Sequence, residues 1–317
     1  MPRVDRRVAL FGIGASVLGA CAGPVEVGGT KKSPRGGIGG TGIVGVVTDF
    51  GSIIVNGLRI ETNAETEVTD AFGRVDAESL QIGHSLTVEA ATVDGALVAR
   101  RVHISHPVIG QVEQVKGRTA MVAGVPAVLE SSGLGTWKRG QWVAVSGLWR
   151  GTQVIASRID PVAKPTVSVI AGVIGQSDLG GALTVGGRSV AFGADLPGIG
   201  TFATVGGALD GDRFDPQWIT PGRFFGSAGP LNDLSIEGYL EPAAKAPFFT
   251  LSGLGHSFDR DAKLAALTDK RVLFTGPYIG TFAVAEGLPL PEDQDARRGL
   301  VRRIVDGDQV SGRVQAR

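Results

Sequence analysis

Short runs of alternating apolar and polar residues recur along most of this chain, and glycines punctuate them at near-constant intervals. Four runs centre on a glycine: Val44-Gly45-Val46, Ile109-Gly110-Gln111, Ala171-Gly172-Val173 and Glu237-Gly238-Tyr239, with the glycines 65, 62 and 66 residues apart. A second series ends in a glycine turn at Val55-Asn56-Gly57, Val122-Ala123-Gly124, Val185-Gly186-Gly187 and Leu251-Ser252-Gly253, spaced 67, 63 and 66 residues apart. Asn56-Gly57 and Gly186-Gly187 are strong hairpin dipeptides, because a type I′ turn needs positive φ at both central residues. A third series aligns without gaps and puts Leu86 and Val88, Val143 and Val145, Ala203 and Val205, and Val272 and Phe274 on one buried face of a strand. A closing strand follows Asp94-Gly95, Arg150-Gly151 and Asp210-Gly211, and its fourth copy is expected at Arg302-Arg303-Ile304.

Repetition at this period fixes architecture before any single motif is weighed. Short strands with frequent glycine turns are best closed into small barrels, because closure removes the edges an open sheet would expose. The expected fold is all-β: four tandem small OB-like barrels of five to six strands, with a two-sheet sandwich per unit as the rival. The boundaries read as 1–20 signal peptide, 21–41 flexible linker, and modules at 42–106, 107–163, 164–230 and 231–317. The last module carries an inserted exposed loop at 278–299, with Pro289, Pro291 and a charged run. The pattern resembles an uncharacterised bacterial family of tandem OB-like β modules, a domain of unknown function found in envelope proteins and lipoproteins, over residues 42–305. That resemblance supplies no catalytic residues.

The amino terminus has its own pattern. Arg3, Arg6 and Arg7 precede an apolar run over 8–20 and then Cys21, the only cysteine. Thirteen residues at ~1.5 Å rise span about 20 Å, short of a ~30 Å bilayer core, so the run predicts a cleavable signal peptide. Leu18-Gly19-Ala20-Cys21 resembles the lipobox of bacterial lipoproteins, which implies lipidation of Cys21 and a membrane partner held through acyl chains. By the same resemblance, Ala22 in place of aspartate implies the outer membrane, facing the periplasm. Asp5-Arg6-Arg7-Val8-Ala9-Leu10 resembles a twin-arginine signal with a departure at Ala9, so the export route stays open.

Composition narrows the function classes. The 31 basic and 31 acidic residues, 28 and 30 without residues 1–20, give no field to attract a polyanion, so no nucleic-acid partner is expected. Gly37-Ile38-Gly39-Gly40-Thr41-Gly42 matches G-x-G-x-x-G but precedes a strand where a dinucleotide site needs a helix, and no cofactor is expected. His103 and His106 lie at i and i+3, on opposite faces of a strand unless the chain turns at Pro107, and no metal site is expected. Ser257 beside His256 has no nucleophile-elbow context, and Asp259, Asp261 and Asp269 match no calcium loop.

Trp137, Trp142 and Trp149 cluster in the second module. Trp142 falls out of phase with Val143 and Val145, and Phe202 occupies the equivalent place in the third. Such rings fill contacts between modules or stack on sugars. The sequence therefore predicts a noncatalytic, membrane-anchored envelope lipoprotein acting as a scaffold or interaction protein. The alternative is a glycan or envelope-polymer binder using Trp142 and Phe202.

Overall fold

The computed structural model describes residues 39–177, 182–191, 196–211, 213–284 and 286–305. The signal peptide, Cys21 and the linker up to residue 38 lie outside the described residues. Strand β1 begins at Gly40, so the last two residues assigned to the linker belong to the first strand.

The described chain is almost entirely β, in barrel-like sheets. Its first part contains β1 (Gly40–Asp49), β2 (Ile53–Val55), β3 (Leu58–Glu61), β4 (Glu67–Asp70), β5 (Gly73–Arg74), β6 (Ser85–Val93) and β7 (Ala96–Ile104). Pairing runs β1–β2–β3–β7–β6 and back to β1, with β3 and β7 parallel, and β4 is added alongside β7. The next five strands are β8 (Val108–Lys116), β9 (Thr119–Val122), β10 (Val125–Leu134), β11 (Trp142–Arg150) and β12 (Gln153–Pro161). They close in the same order, with β10 and β12 parallel. So do β13 (Ser168–Gln176), β14 (Leu183–Val185), β15 (Arg188–Val190), β16 (Phe202–Asp210) and β17 (Arg213–Pro221), with β15 and β17 parallel. This first–second–third–fifth–fourth order is a five-stranded Greek-key ring, the OB-like arrangement expected from the pattern.

The two glycine series keep step because they touch. A Cβ on Gly45 would lie 2.1 Å from Asn56 Oδ1, one on Gly110 2.6 Å from Ala123 Cβ, and one on Gly172 3.0 Å from Gly186 Cα. In each ring the first strand thus carries glycine where its own second-strand turn folds over it, and only the absence of a side chain permits that approach. The third series also sits as its phase requires: Leu86, Val88, Val143, Val145, Ala203, Val205, Val272 and Phe274 are all fully buried.

The last part departs from expectation. It contains β18 (Leu231–Pro242), β19 (Phe249–Leu251), β20 (His256–Phe258), the short helix α1 (Ala262–Ala265), β21 (Arg271–Pro277), β22 (Glu286–Pro289) and α2 (Gln294–Val305). Pairing runs β20–β19–β18–β21–β22, and no ladder joins β20 to β22 among the described residues. Arg302-Arg303-Ile304, expected as a closing strand, lies within α2. Asp293 starts that helix, its Oδ1 accepting from the Ala296 N–H at 2.9 Å, and the sequence beyond it lacks period-two alternation. The expected exposed loop at 278–299 is also partly structured. It contributes β22 to the sheet, and Leu290, Gln294 and Arg297 are buried. Burial follows because Arg297 has carboxylate partners in the interior.

The barrels are joined edge to edge. β1 runs parallel to β18, with Ile43 opposite Ser235, and β8 runs antiparallel to β13, with Ile109 opposite Val169. Val46, Leu148 and Tyr239, from three different parts of the chain, form one buried cluster, with Ile155 packed on it.

Candidate functional site

Two groupings of polar side chains stand out among the described residues, and they differ in kind. In the first, Glu237 on β18, Arg271 on β21, Glu130 on β10 and Arg297 on α2 are all nearly inaccessible. Arg271 Nε donates to Glu237 Oε1 at 2.6 Å, its Nη1 pairs with Glu130, and Arg297 Nη2 donates to Glu130 Oε2 at 2.8 Å. Glu237 Oε2 also accepts the Val46 N–H at 2.8 Å. Burial opposes ionisation of Glu237, but the two guanidinium charges and these hydrogen bonds outweigh it and hold the carboxyl below its ordinary range. The two positive and two negative charges offset one another, although Arg271 Nη2 and Arg297 Nε make no hydrogen bond, so this network holds segments together.

The second place is a cavity of about 270 Å³. Its walls come from β4, β5 and their turn, from Thr87 on β6, and from Arg101 and His103 on β7. Ser105 and His106, Phe202 and Thr204 on β16, Trp218 and Thr220 on β17, and Arg223 and Phe225 beyond β17 complete it. It therefore lies between the first and third rings, roofed by the connection into β18. Each guanidinium rests on an aromatic face: Arg223 Cζ is 3.7 Å from the centre of the Phe202 ring and Arg101 Cζ 4.2 Å from that of Phe225.

The charges are unequally matched. Arg101 has Glu67 at 3.9 Å and Glu89 at 4.0 Å, and donates to Thr69 Oγ1 at 3.3 Å. Burial lowers its affinity for a proton, and those two carboxylates only partly oppose the shift. Glu89 in turn accepts from the Phe225 and Ser227 N–H groups, each at 2.7 Å, fixing the roof segment. Among the described residues Arg223 hydrogen-bonds only to Thr87 Oγ1 and the Gly253 carbonyl, both at 3.4 Å, and its buried Nε has no partner there. Among the described residues no carboxylate pairs with it, and desolvation alone pulls its pKa down to about 9.

The histidines nearby are held neutral. Burial, then the charges of Arg101 and Arg223, lower His103 to about 4, while burial and the neighbouring His84 and His103 lower His106 to about 3. The turn after β7 brings both rings to the cavity wall, although they lie at i and i+3. His103 Nδ1 is 2.9 Å from Thr69 Oγ1, and no cluster of three or more potential ligands for a metal occurs among the described residues. His84 instead links two rings: its Nδ1 accepts from the Gln81 N–H at 3.1 Å, so Nε2 carries the proton toward Asp160 Oδ2 at 3.0 Å. Ser257 on β20 is exposed, and Asp261 caps α1 by accepting from the Lys263 N–H at 2.6 Å.

The two aromatic candidates separate. Phe202 lines the cavity; Trp142 does not, lying half-buried on β11 with Lys164 Nζ 5.9 Å from its ring centre. Trp137 packs on the core of the second and third rings and donates to the Arg118 carbonyl at 2.8 Å, and Trp149 is buried between rings. Sequence reasoning missed Arg101, Arg223, Trp218 and Phe225, which come from three separate stretches. The one available signal was Arg100-Arg101 at the end of a closing strand.

A family model described as a domain of unknown function (DUF5666) matches residues 41–103, the span of β1 to β7 that forms the first ring. No curated protein and no solved structure matches the chain.

Proposed function

We propose that this chain is a noncatalytic envelope lipoprotein whose barrels, copies of one duplicated unit, form an interaction scaffold at a membrane. In this reading the amino-terminal signal directs export, Cys21 is acylated, and the segment after it tethers the barrels to the outer membrane on its periplasmic side. Envelope proteins are the partners it would present a surface to. The observation that carries the scaffold reading is where the buried charge goes. Glu130, Glu237, Arg271 and Arg297 come from distant stretches and are spent on one another, which fixes the barrels as a body and offers no free acid or base.

Replacing Cys21 with Ser tests the anchor: the protein should leave the membrane fraction, and unchanged membrane association would remove the lipoprotein reading. Crosslinking in intact cells, with identification of the captured protein, tests the scaffold role.

A second reading has its own support. Phe202 and Trp218 share a cavity wall with several hydroxyl groups, the mix of ring faces and hydrogen-bonding groups that suits a sugar. Titration with envelope polysaccharides, followed by tryptophan fluorescence, tests it; no change with any polymer counts against it.

A further inference from the structure

We propose that the cavity between the first and third rings is a binding site for a small organic monocarboxylate, whose carboxylate is received by the guanidinium of Arg223. The inference rests on neither the lipid anchor nor the scaffold role.

Three observations converge. The first is charge. Arg101 and Arg74 together face Glu67 and Glu89, and Asp70 on the cavity wall accepts from the Phe72 and Gly73 N–H groups at 2.7 and 3.1 Å. Arg223 is left with two long contacts to neutral oxygens and a buried Nε without an acceptor. Arg223 is half-buried, and a partly desolvated charge without a counter-ion is costly, so a structure keeps one where an incoming group of opposite sign will complete it. A single guanidinium without a carboxylate partner among the described residues calls for a single carboxylate, and with Asp70 on the same wall a phosphate dianion would bring more negative charge than the site can offset.

The second observation is geometry. Phe202 covers one face of the planar guanidinium, with Arg223 Cζ 3.7 Å from the ring centre, leaving its edge for the two-pronged hydrogen bonding that a carboxylate accepts. The third is size and lining. About 270 Å³ is room for about nine waters at ~30 Å³ each, and so for a ligand on the order of ten non-hydrogen atoms. Phe72, Trp218 and Phe225 supply apolar ring surface for the body of that ligand, and Thr204 and Thr220 supply hydroxyls. An aromatic acid would use the rings, and an acidic sugar would use rings and hydroxyls together.

The test is calorimetric titration of the full-length chain in detergent with phenylacetate and with glucuronate, each beside its uncharged counterpart, phenylacetamide and glucose. The expected result is that at least one carboxylate binds at least tenfold more tightly than its counterpart, and that Arg223→Gln weakens it at least tenfold without lowering the melting temperature. If neither carboxylate outdoes its neutral counterpart, the proposal is overturned. That comparison uses the unaltered protein and stands even if the variant fails to fold. Arg223→Gln binding as tightly as the unaltered chain overturns it as well. Phenylacetate binding without glucuronate supports the carboxylate site while counting against the sugar reading, so the two fail separately.

Discussion

The indole of Trp149 lies directly on the Gly253 turn: a Cβ added to Gly253 would sit 2.1 Å from Trp149 Cδ1. The far end of the same ring meets another turn, since a Cβ on Gly186 would be 2.5 Å from Cζ2, and Nε1 donates to the Ala171 carbonyl at 2.8 Å. One side chain on β11 thereby joins the second ring to the third and to the β18–β20 sheet. Its two contacts are with glycines of the series that the sequence marked as turns.

Replacing Trp149 with Ala should destabilise the protein by about 3–5 kcal/mol, the usual cost of emptying a large core site, with the Ala171 carbonyl left unpaired as well. Gly253→Ala should also be strongly destabilising, because φ is +65° and the added carbon has no space. Trp142→Ala is the control: with its ring half-buried, it should cost far less. Chemical denaturation of the three variants checks the order, and a Trp142 effect equal to that of Trp149 would contradict it.

Arg297→Met should cost about 3–5 kcal/mol, because Glu130 and Glu237 would be left buried with one guanidinium between them. The double variant Glu130→Met/Arg297→Met should recover a large part of the loss, since it removes one charge of each sign. Urea midpoints for the single and double variants measure the coupling; simple additivity would show that the pair does not act as a unit.

Stability should fall as pH drops below about 6.5. His103 and His256 are lowered to about 4 and His106 to about 3, chiefly by burial, so each is neutral in the folded state when its unfolded counterpart is already taking up a proton. A depressed folded-state value contributes stability that is present above the unfolded value and lost as pH falls through the folded one. Asp160 shifts the same way: burial opposes ionisation, but hydrogen bonds from His84 and Arg158 and the charge of Arg158 prevail, and its contribution is lost only at acid pH below the ordinary carboxylate range. Each histidine contributes at most about 1.4 kcal/mol per pH unit across its window. Melting temperatures from pH 7 to 4 test this, and replacing His106 with Gln should flatten the slope.

Asn56 couples the first turn to a neighbouring strand. It holds φ of 56°, and its Nδ2 donates to the Val44 and Ser235 carbonyls at 3.0 and 3.1 Å. Asn56→Ala should cost about 1–2 kcal/mol through the lost hydrogen bonds and the left-handed backbone. Asn56→Gly should recover the part due to backbone conformation, as equilibrium unfolding of both variants would show.

Strand phase was legible because it depends on nearest neighbours along the chain. Period-two alternation placed all eight third-series side chains inside, and glycine spacing located the turns that fold onto the first strands. The error at α2 has a physical source: Arg302-Arg303-Ile304 matched a strand ending by analogy, whereas helix formation there is decided by the Asp293 cap and by burial of Arg297 against Glu130, 167 residues away. The same limit applied to the site. Trp142 was singled out because it is out of phase with its strand, and Phe202 because it holds the equivalent place in the third ring, but that match was positional and only Phe202 reaches the cavity.

What the sequence determined by itself was the unit: strands, turns and a ring of given order, all set by local alternation and by glycines only some tens of residues apart. What the tertiary structure alone decided was which rings touch, and therefore which charges are matched. Arg101 and Arg223 look alike in the sequence. Both meet a ring face and line the cavity, but only Arg101 meets carboxylates, because burial and pairing depend on how the barrels dock, and no local pattern along the chain encodes that.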